Sequence, residues 1–240
     1  MIAGFIITGN GSKSVLLRGL GPSLASAGLG DLLADPFLEL HGPNGAVIAQ
    51  NDDWKQGAQV VEGTPFQPSD TRESVIVATL QPDAYTALLT GKGQMTGVGL
   101  VEVYDRDQSA GTALANISTR GFVQTGDNVM IGGFILGGGS ANAQVAVRGI
   151  GPSLSQFGLN NLLADPTLEL RDSNGALLIA NDNWQDDPSS AGQLIQHNLG
   201  LLDSRESGIF TALPPGAFTA ILAGKNSGIG IGLIEVYNVP

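Results

Sequence analysis

The chain is 240 residues long and acidic, with 22 Asp and Glu against 11 Lys and Arg and a formal net charge of −11 at pH 7. That balance excludes binding to nucleic acid and attraction to anionic membrane surfaces, both of which need clustered Lys and Arg; it is compatible with divalent cations or neutral glycans. The absence of cysteine excludes disulfides, thiolate nucleophiles and Cys-ligated metal, and no apolar run reaches membrane-spanning length. Only 14% of residues are charged, while 35 are Gly and 12 are Pro. Such a surface must be covered by Ser, Thr, Asn, Gln and Gly, which suits a secreted β-protein.

In chain order, residues 1–7 are apolar but carry neither a basic leader nor a cleavage site. They align with residues 130–135 and are predicted to form a strand, any export signal having been removed. Residues 14–18 form a short apolar β run ended by Gly19. Residues 37–40 and 46–49 flank Pro43-Asn44-Gly45 and read as a hairpin, because both residues of Asn-Gly tolerate positive φ. Asn51-Asp52-Asp53-Trp54 follows, and then a short helical turn at residues 58–61. Further strands are predicted at 74–80, 85–89 and 98–104, with a tight turn at Gln81-Pro82-Asp83. Residues 105–112 are polar and read as a linker. Residues 115–123 then read as an opening strand, followed by a turn over residues 124–128.

The rest of the chain repeats what came before. Arg18-Gly19-Leu20-Gly21-Pro22-Ser23-Leu24 returns as Arg148-Gly149-Ile150-Gly151-Pro152-Ser153-Leu154. Leu33-Ala34-Asp35-Pro36 returns as Leu163-Ala164-Asp165-Pro166, and Asn51-Asp52-Asp53-Trp54 as Asn181-Asp182-Asn183-Trp184, all at an offset of 130. Asp70-Thr71-Arg72-Glu73-Ser74 returns as Asp203-Ser204-Arg205-Glu206-Ser207, and Leu100-Val101-Glu102-Val103-Tyr104 as Leu233-Ile234-Glu235-Val236-Tyr237, at 133. The copies differ in length around residues 192–202, a region predicted to be a surface loop with short helical turns. So long a period marks whole domains rather than solenoid turns. The expected fold is all-β: two tandem homologous antiparallel β-sandwich (jelly-roll-like) domains, residues 1–108 and 113–240, each with about six to eight short strands. Only the opening strand at 115–123 has no counterpart in the first copy. Either the chain has been trimmed before Met1, or copy 1 lacks a strand and exposes an edge open to strand addition from another chain.

Clustered Asp and Asn oxygens at a strand end can hold Ca²⁺, a hard ion that takes about 6–8 oxygen ligands. Asn51, Asp52 and Asp53 form one such set, closed by Asp70 or Glu73. Asn181, Asp182 and Asn183 form the second, closed by Asp186, Asp187 or Asp203. The competing reading is that these side chains cap turns while the Trp covers one end of the core. Asn183 stands where copy 1 has Asp53, so any metal affinity should differ between copies.

Arg18 and Arg148 follow strand residues and call for carboxylate partners, among which Asp35, Asp165, Glu39, Glu169, Glu102 and Glu235 are candidates. A repeated fixing ion pair is the structural reading, and a groove for an acidic ligand the functional one. The Gly-x-Gly-Pro-Ser-Leu segment matches neither a phosphate loop nor a nucleophile elbow and reads as a turn. His41 and His197 are not at equivalent positions, so no repeated His catalysis is possible. Trp54 and Trp184, with Tyr85 and Phe218, can be either a sugar-stacking platform or core.

The combined motifs resemble a known family. Leu38-Glu39-Leu40, Asn44-Gly45, Ile48-Ala49-Gln50-Asn51-Asp52, Tyr85-Thr86-Ala87 and Gly99-Leu100-Val101-Glu102-Val103-Tyr104 are similar to the bacterial pre-peptidase C-terminal type of β-sandwich. Arg-Gly-hydrophobic-Gly-Pro-Ser-Leu with Leu-Ala-Asp-Pro resembles more closely the tandem repeats of large exported proteins of Verrucomicrobia-like bacteria. The resemblance covers almost the whole of both copies and carries no catalytic signature. It implies secretion, non-catalytic modules and, in some members, Ca²⁺ at the Asn-Asp motif. The expected function is that of a non-catalytic extracellular or cell-surface structural or adhesive protein, a self-assembling filament or surface-layer subunit. In this reading, homo-oligomers form by strand addition at the N-terminal edge of copy 1. The alternative is a glycan- or calcium-binding accessory module. An enzyme is not expected, since no carboxylate pair stands out as a hydrolase would need.

Overall fold

A computed structural model describes residues 1–107, 111–137 and 140–239. The chain divides into two compact units, Met1–Leu114 and Ala115–Pro240. Part of the predicted linker, residues 108–110, lies outside the described residues.

Unit 1 contains β1 (Ile2–Gly9), β2 (Lys13–Leu20), β3 (Pro36–His41), β4 (Val47–Asn51), β5 (Ser74–Leu80), β6 (Ala84–Gly91) and β7 (Leu100–Asp105). They form two antiparallel sheets, ordered β4-β3-β6-β1 and β5-β2-β7. Unit 2 contains the part of β8 (Thr112–Val123) from residue 115 onward, which pairs with β15 from Asn116, together with β9 (Met130–Leu136), β10 (Ala143–Ile150), β11 (Pro166–Asp172), β12 (Leu177–Asn181), β13 (Ser207–Leu213), β14 (Gly216–Gly224) and β15 (Gly230–Val239). Its sheets run β12-β11-β14-β9 and β13-β10-β15-β8, again antiparallel. The fold is thus all-β and sandwich-like. Strand for strand the order is the same, except that β15 has β8 beside it and β7 has no strand in that place among the described residues.

Alternation explains the layers. Along β3, Pro36, Leu38 and Leu40 are buried while Phe37, Glu39 and His41 are half-buried, the period of two that places one face on a core. In unit 2 the core gathers Val145, Val147, Leu168, Leu170, Ala220, Leu222, Ile234 and Val236 from both sheets. Phe5 stacks on Tyr85 in unit 1, and Phe134 on Phe218 in unit 2, with centroids 5.5 and 5.6 Å apart. The hairpin turns use Gly45 and Gly175 at φ +78° and +79°, the left-handed region that only Gly enters without cost.

A third layer lies on the outer face of the β2- and β10-containing sheets. In unit 1 it is made by α1 (Trp54–Gly57) and a 3₁₀ turn at Gln59–Val61, which pack Trp54, Ala58 and Val61 on Leu16 and Val75. In unit 2, α2 (Pro188–Gln196) packs Ala191 and Leu194 around Trp184 and Ala146. The helical turn predicted at 58–61 is the 3₁₀ turn at Gln59–Val61, with α1 as an additional turn before it, whereas α2 begins several residues before the turns predicted at 192–202. Asp187 explains the longer one: its carboxylate accepts from Ser189 N and Ser190 N and caps the helix.

Candidate functional site

The most acidic corner of unit 1 lies where β3 begins and β4 ends. Asn51 closes β4 onto β5: the Val75 amide donates to its Oδ1 (2.8 Å), and its Nδ2 donates to Asp53 O (3.1 Å). The Ser74 hydroxyl sits 2.5 Å from Pro36 O and 2.9 Å from Asn51 O, tying three strands at one point. This framework brings Asp35, Asp52 and Asp53 together, each offering a carboxylate oxygen within 4.8 Å of the others. Among the described residues it is the only such grouping of three potential metal-ligating side chains. Asp35 Oδ1 and Asp52 Oδ1 are buried without hydrogen-bond partners. Lys92 Nζ donates to Asp52 Oδ2, and Gln56 Nε2 donates to Asp53 Oδ2 (2.6 Å). Burial, followed by the charge of Asp52, raises the Asp35 pKa above the ordinary carboxylate value, with Lys92 opposing.

Of the predicted ligands in unit 1, Asp52 and Asp53 therefore belong to the grouping. Asn51 has turned its oxygen to a backbone amide. Asp70 is clamped by Arg72, whose Nε and Nη2 donate to its two oxygens at 2.9 and 2.7 Å; that hydrogen-bonded pairing holds the Asp70 carboxyl below its usual range. Glu73, the other proposed closing ligand, is fully buried elsewhere. Its Oε1 accepts from Gly21 N, Ser23 N and Ser23 Oγ at 2.9, 2.9 and 2.7 Å. Asp35 is the member that sequence reasoning missed as a ligand. The signal available was its place in Leu-Ala-Asp-Pro, one of the repeated motifs.

Unit 2 repeats the corner with one change. The Gly208 amide donates to Asn181 Oδ1 (2.8 Å), Lys225 Nζ donates to Asp182 Oδ2 (2.5 Å), and Arg205 clamps Asp203. Asp165 Oδ1 and Asp182 Oδ1 are again buried and unpaired. Asn183 replaces Asp53, and its Nδ2 donates to Asp186 Oδ2 (3.0 Å). A side chain that offers an amide proton to its neighbour supplies less negative charge for a cation than a carboxylate. Asp187 is occupied as the cap of α2.

The remaining candidates resolve into framework. Arg18 pairs with Glu102 rather than with Asp35 or Glu39 (Nε to Oε2, 2.6 Å), and Tyr104 Oη donates to Glu102 Oε1 (2.9 Å). Arg148, Glu235 and Tyr237 repeat this, with Nε to Oε2 at 2.8 Å. Burial, with Glu235 adding to it, pushes the Tyr237 hydroxyl up to about 12. In both units the guanidinium lies 5.4 Å from its Tyr ring centroid. The predicted Gly-Pro-Ser-Leu turn is a 3₁₀ helix at Pro22–Ala27 and again at Pro152–Phe157. Glycine is required there by space: a Cβ on Gly21 would lie 2.0 Å from Leu33 O.

Trp54 and Trp184 are buried, and Tyr85 and Phe218 are stacked inside the sandwiches. These four side chains offer no sugar-stacking surface. His41 sits on the β3–β4 hairpin, with Nδ1 3.0 Å from Gly45 O, whereas His197 stacks on Phe210. No protein-family model matches the chain, and a search of curated proteins finds no match to it.

Proposed function

We propose that the chain is a non-catalytic structural protein of the extracellular space or cell surface, whose repeated units are building blocks of a larger assembly. The supporting observation is what the repeated polar residues do. The Arg–Glu–Tyr sets and the Glu73 and Glu206 anchors hold strands and loops to one another, and the Asp70–Arg72 and Asp203–Arg205 clamps each fix one loop on itself. Hydrogen-bonded networks that join distant segments rigidify a framework. The motif resemblance to exported tandem repeats points the same way. The test is the size of the native protein by light scattering and negative-stain imaging, at high concentration, with and without calcium. Particles larger than one chain are expected; monomers under every condition would overturn the assembling role.

A second reading, calcium binding, is favoured by the Asp35, Asp52 and Asp53 grouping with its two unpaired buried oxygens. In that reading Ca²⁺ displaces the Lys92 ammonium from Asp52 and draws on all three carboxylates, and unit 1 binds more tightly than unit 2. Calorimetry with CaCl₂ tests it: saturable heat that Asp53→Asn abolishes supports the site, and no heat removes it.

A further inference from the structure

Asn-Gly is the turn signal of one hairpin in each unit, and the pair occurs a third time. Asn10-Gly11 joins β1 to β2, Asn44-Gly45 joins β3 to β4, and Asn174-Gly175 joins β11 to β12. All of these residues are exposed. An asparagine followed by glycine holds an electrophile and a nucleophile side by side. The side-chain Cγ is within reach of the next backbone nitrogen, and glycine has no Cβ to obstruct the approach.

The three turns restrain these groups to different degrees. At Asn44 both are engaged: the Gly45 amide donates to Gly42 O (2.9 Å), and Asn44 Oδ1 accepts from the Ala46 amide (3.1 Å). At Asn174 only the amide is engaged. Gly175 N donates to Asp172 O (3.0 Å), but the Ala176 amide donates to Asp172 Oδ1 (2.9 Å) and leaves Asn174 aside. Asp172 thus does in unit 2 what the Asn44 side chain does in unit 1. At Asn10 neither group is engaged: among the described residues, no hydrogen bond holds its side chain or the Gly11 amide. This turn also has room to bend, since Gly9 and Gly11 flank the asparagine at φ +110° and +129°.

We propose that Asn10 is a site of spontaneous covalent modification, at which the Gly11 amide converts the asparagine to an aspartyl or isoaspartyl residue. Hydroxide removes the Gly11 N–H proton, and the nitrogen attacks Asn10 Cγ. The new N–Cγ bond closes a succinimide ring; the Cγ–Nδ2 bond breaks, and Nδ2 takes up a proton from water and leaves as ammonia. Water then adds to one ring carbonyl and opens the ring, leaving a carboxylate. Opening at Cγ restores the ordinary backbone. Opening at the α-carbonyl routes the backbone through the side chain and lengthens it by a methylene. The flanking glycines give that longer path room, whereas in the hairpins of Asn44 and Asn174 it would disturb the turn that sets the strand register. The modification depends neither on the assembling role nor on calcium.

The test incubates the folded full chain in mildly alkaline buffer made with heavy-oxygen water. Tandem mass spectrometry of proteolytic fragments follows each Asn-Gly pair. Asn10 is expected to react first and to carry the heavy oxygen in its new carboxylate. Each hydrogen bond that has to open before the ring closes slows the reaction by roughly fivefold, so Asn174 should lag Asn10 by about that factor and Asn44 by about its square. The same incubation in concentrated urea removes the turns, and the three rates should converge. Asn10→Gln should abolish the early product and leave the other two rates unchanged. Three results would overturn the site: an Asn10 that reacts in urea but not in the folded chain, equal rates at all three pairs in the folded chain, or the same spread of rates in urea as without it.

Discussion

Two strands of nearly identical sequence have different surroundings. Val236 and Ile234 of β15 are buried, but their counterparts Val103 and Val101 of β7 are only half-buried, and Leu100 is 37% exposed. The Arg–Glu–Tyr set is preserved in both. The contrast separates two properties of a strand. The register against the inner neighbour follows from the strand's own residues. Burial of its apolar face depends also on the strand beside it and on the residue that this neighbour places over the core.

The largest effect should be the one that treats the units alike. Glu73→Ala and Glu206→Ala each strip a buried carboxylate from two close amides and a hydroxyl, and Glu206→Ala also removes a longer bond from the Asp203 amide (3.4 Å). Each should cost roughly 2–4 kcal/mol in urea unfolding, since unpaired buried donors are expensive. Unequal costs would mean that the units are not energetically equivalent where their sequences match. Next comes the direct test of the edge. Val236→Ala should cost about 2 kcal/mol and Val103→Ala under about 1 kcal/mol, because the second valine is only half removed from water. Equal losses would show β7 to be as covered as β15.

Asp53→Asn and Asn183→Asp exchange the one acidic difference between the two corners. With free calcium equal to the dissociation constant, a site stabilises its unit by only about 0.4 kcal/mol. A small calcium-dependent rise in melting temperature should therefore vanish in the first variant and grow in the second. No response in the parent chain would remove the basis for comparing them.

The smallest effect concerns acid. The hydrogen bonds from Arg72 and Arg205 hold the folded Asp70 and Asp203 carboxyls below the ordinary Asp value of 3.8, so their contribution is present above that value and is lost as pH falls through the folded pKa. Asp35 has the opposite sign: its folded value is raised, so the stability linked to its protonated form is present below 3.8 and lost as pH rises through the folded value. Acid melts followed by circular dichroism should show Asp70→Asn and Asp203→Asn flattening the acid limb to the same degree. Asp35→Asn should instead improve stability near neutral pH. Different slopes for the two clamp variants would mean that the Asp35 corner acts on the Asp70 clamp.

Much of this architecture was legible in the residues. The sequence alternation places β5 at residues 74–80, as observed, and Asn44-Gly45 places the first hairpin turn. The 130- and 133-residue offsets foretell the recurrence of the strand order. The Arg18 partner was narrowed only to a set of carboxylates, because the choice of Glu102 is a matter of strand register across 84 residues of chain. Asp70 and Glu73 read equally well as ligands from sequence, since nothing local says that Arg72 will fold back on one and that the other will turn inward to the Gly21 and Ser23 amides.

What the sequence by itself determined is local or repeated: strand alternation, turn chemistry, the absence of any thiol or shared histidine site, and the doubling. The tertiary structure alone decided which distant groups meet. It brought Asp35 to Asp52 and Asp53 and buried both tryptophans, and it decided which strands lie side by side, β8 next to β15 among them. The physical reason is that alternation and turns arise between near neighbours, whereas a carboxylate cluster is set by strand pairings, whose cross-strand contacts have no counterpart in local order.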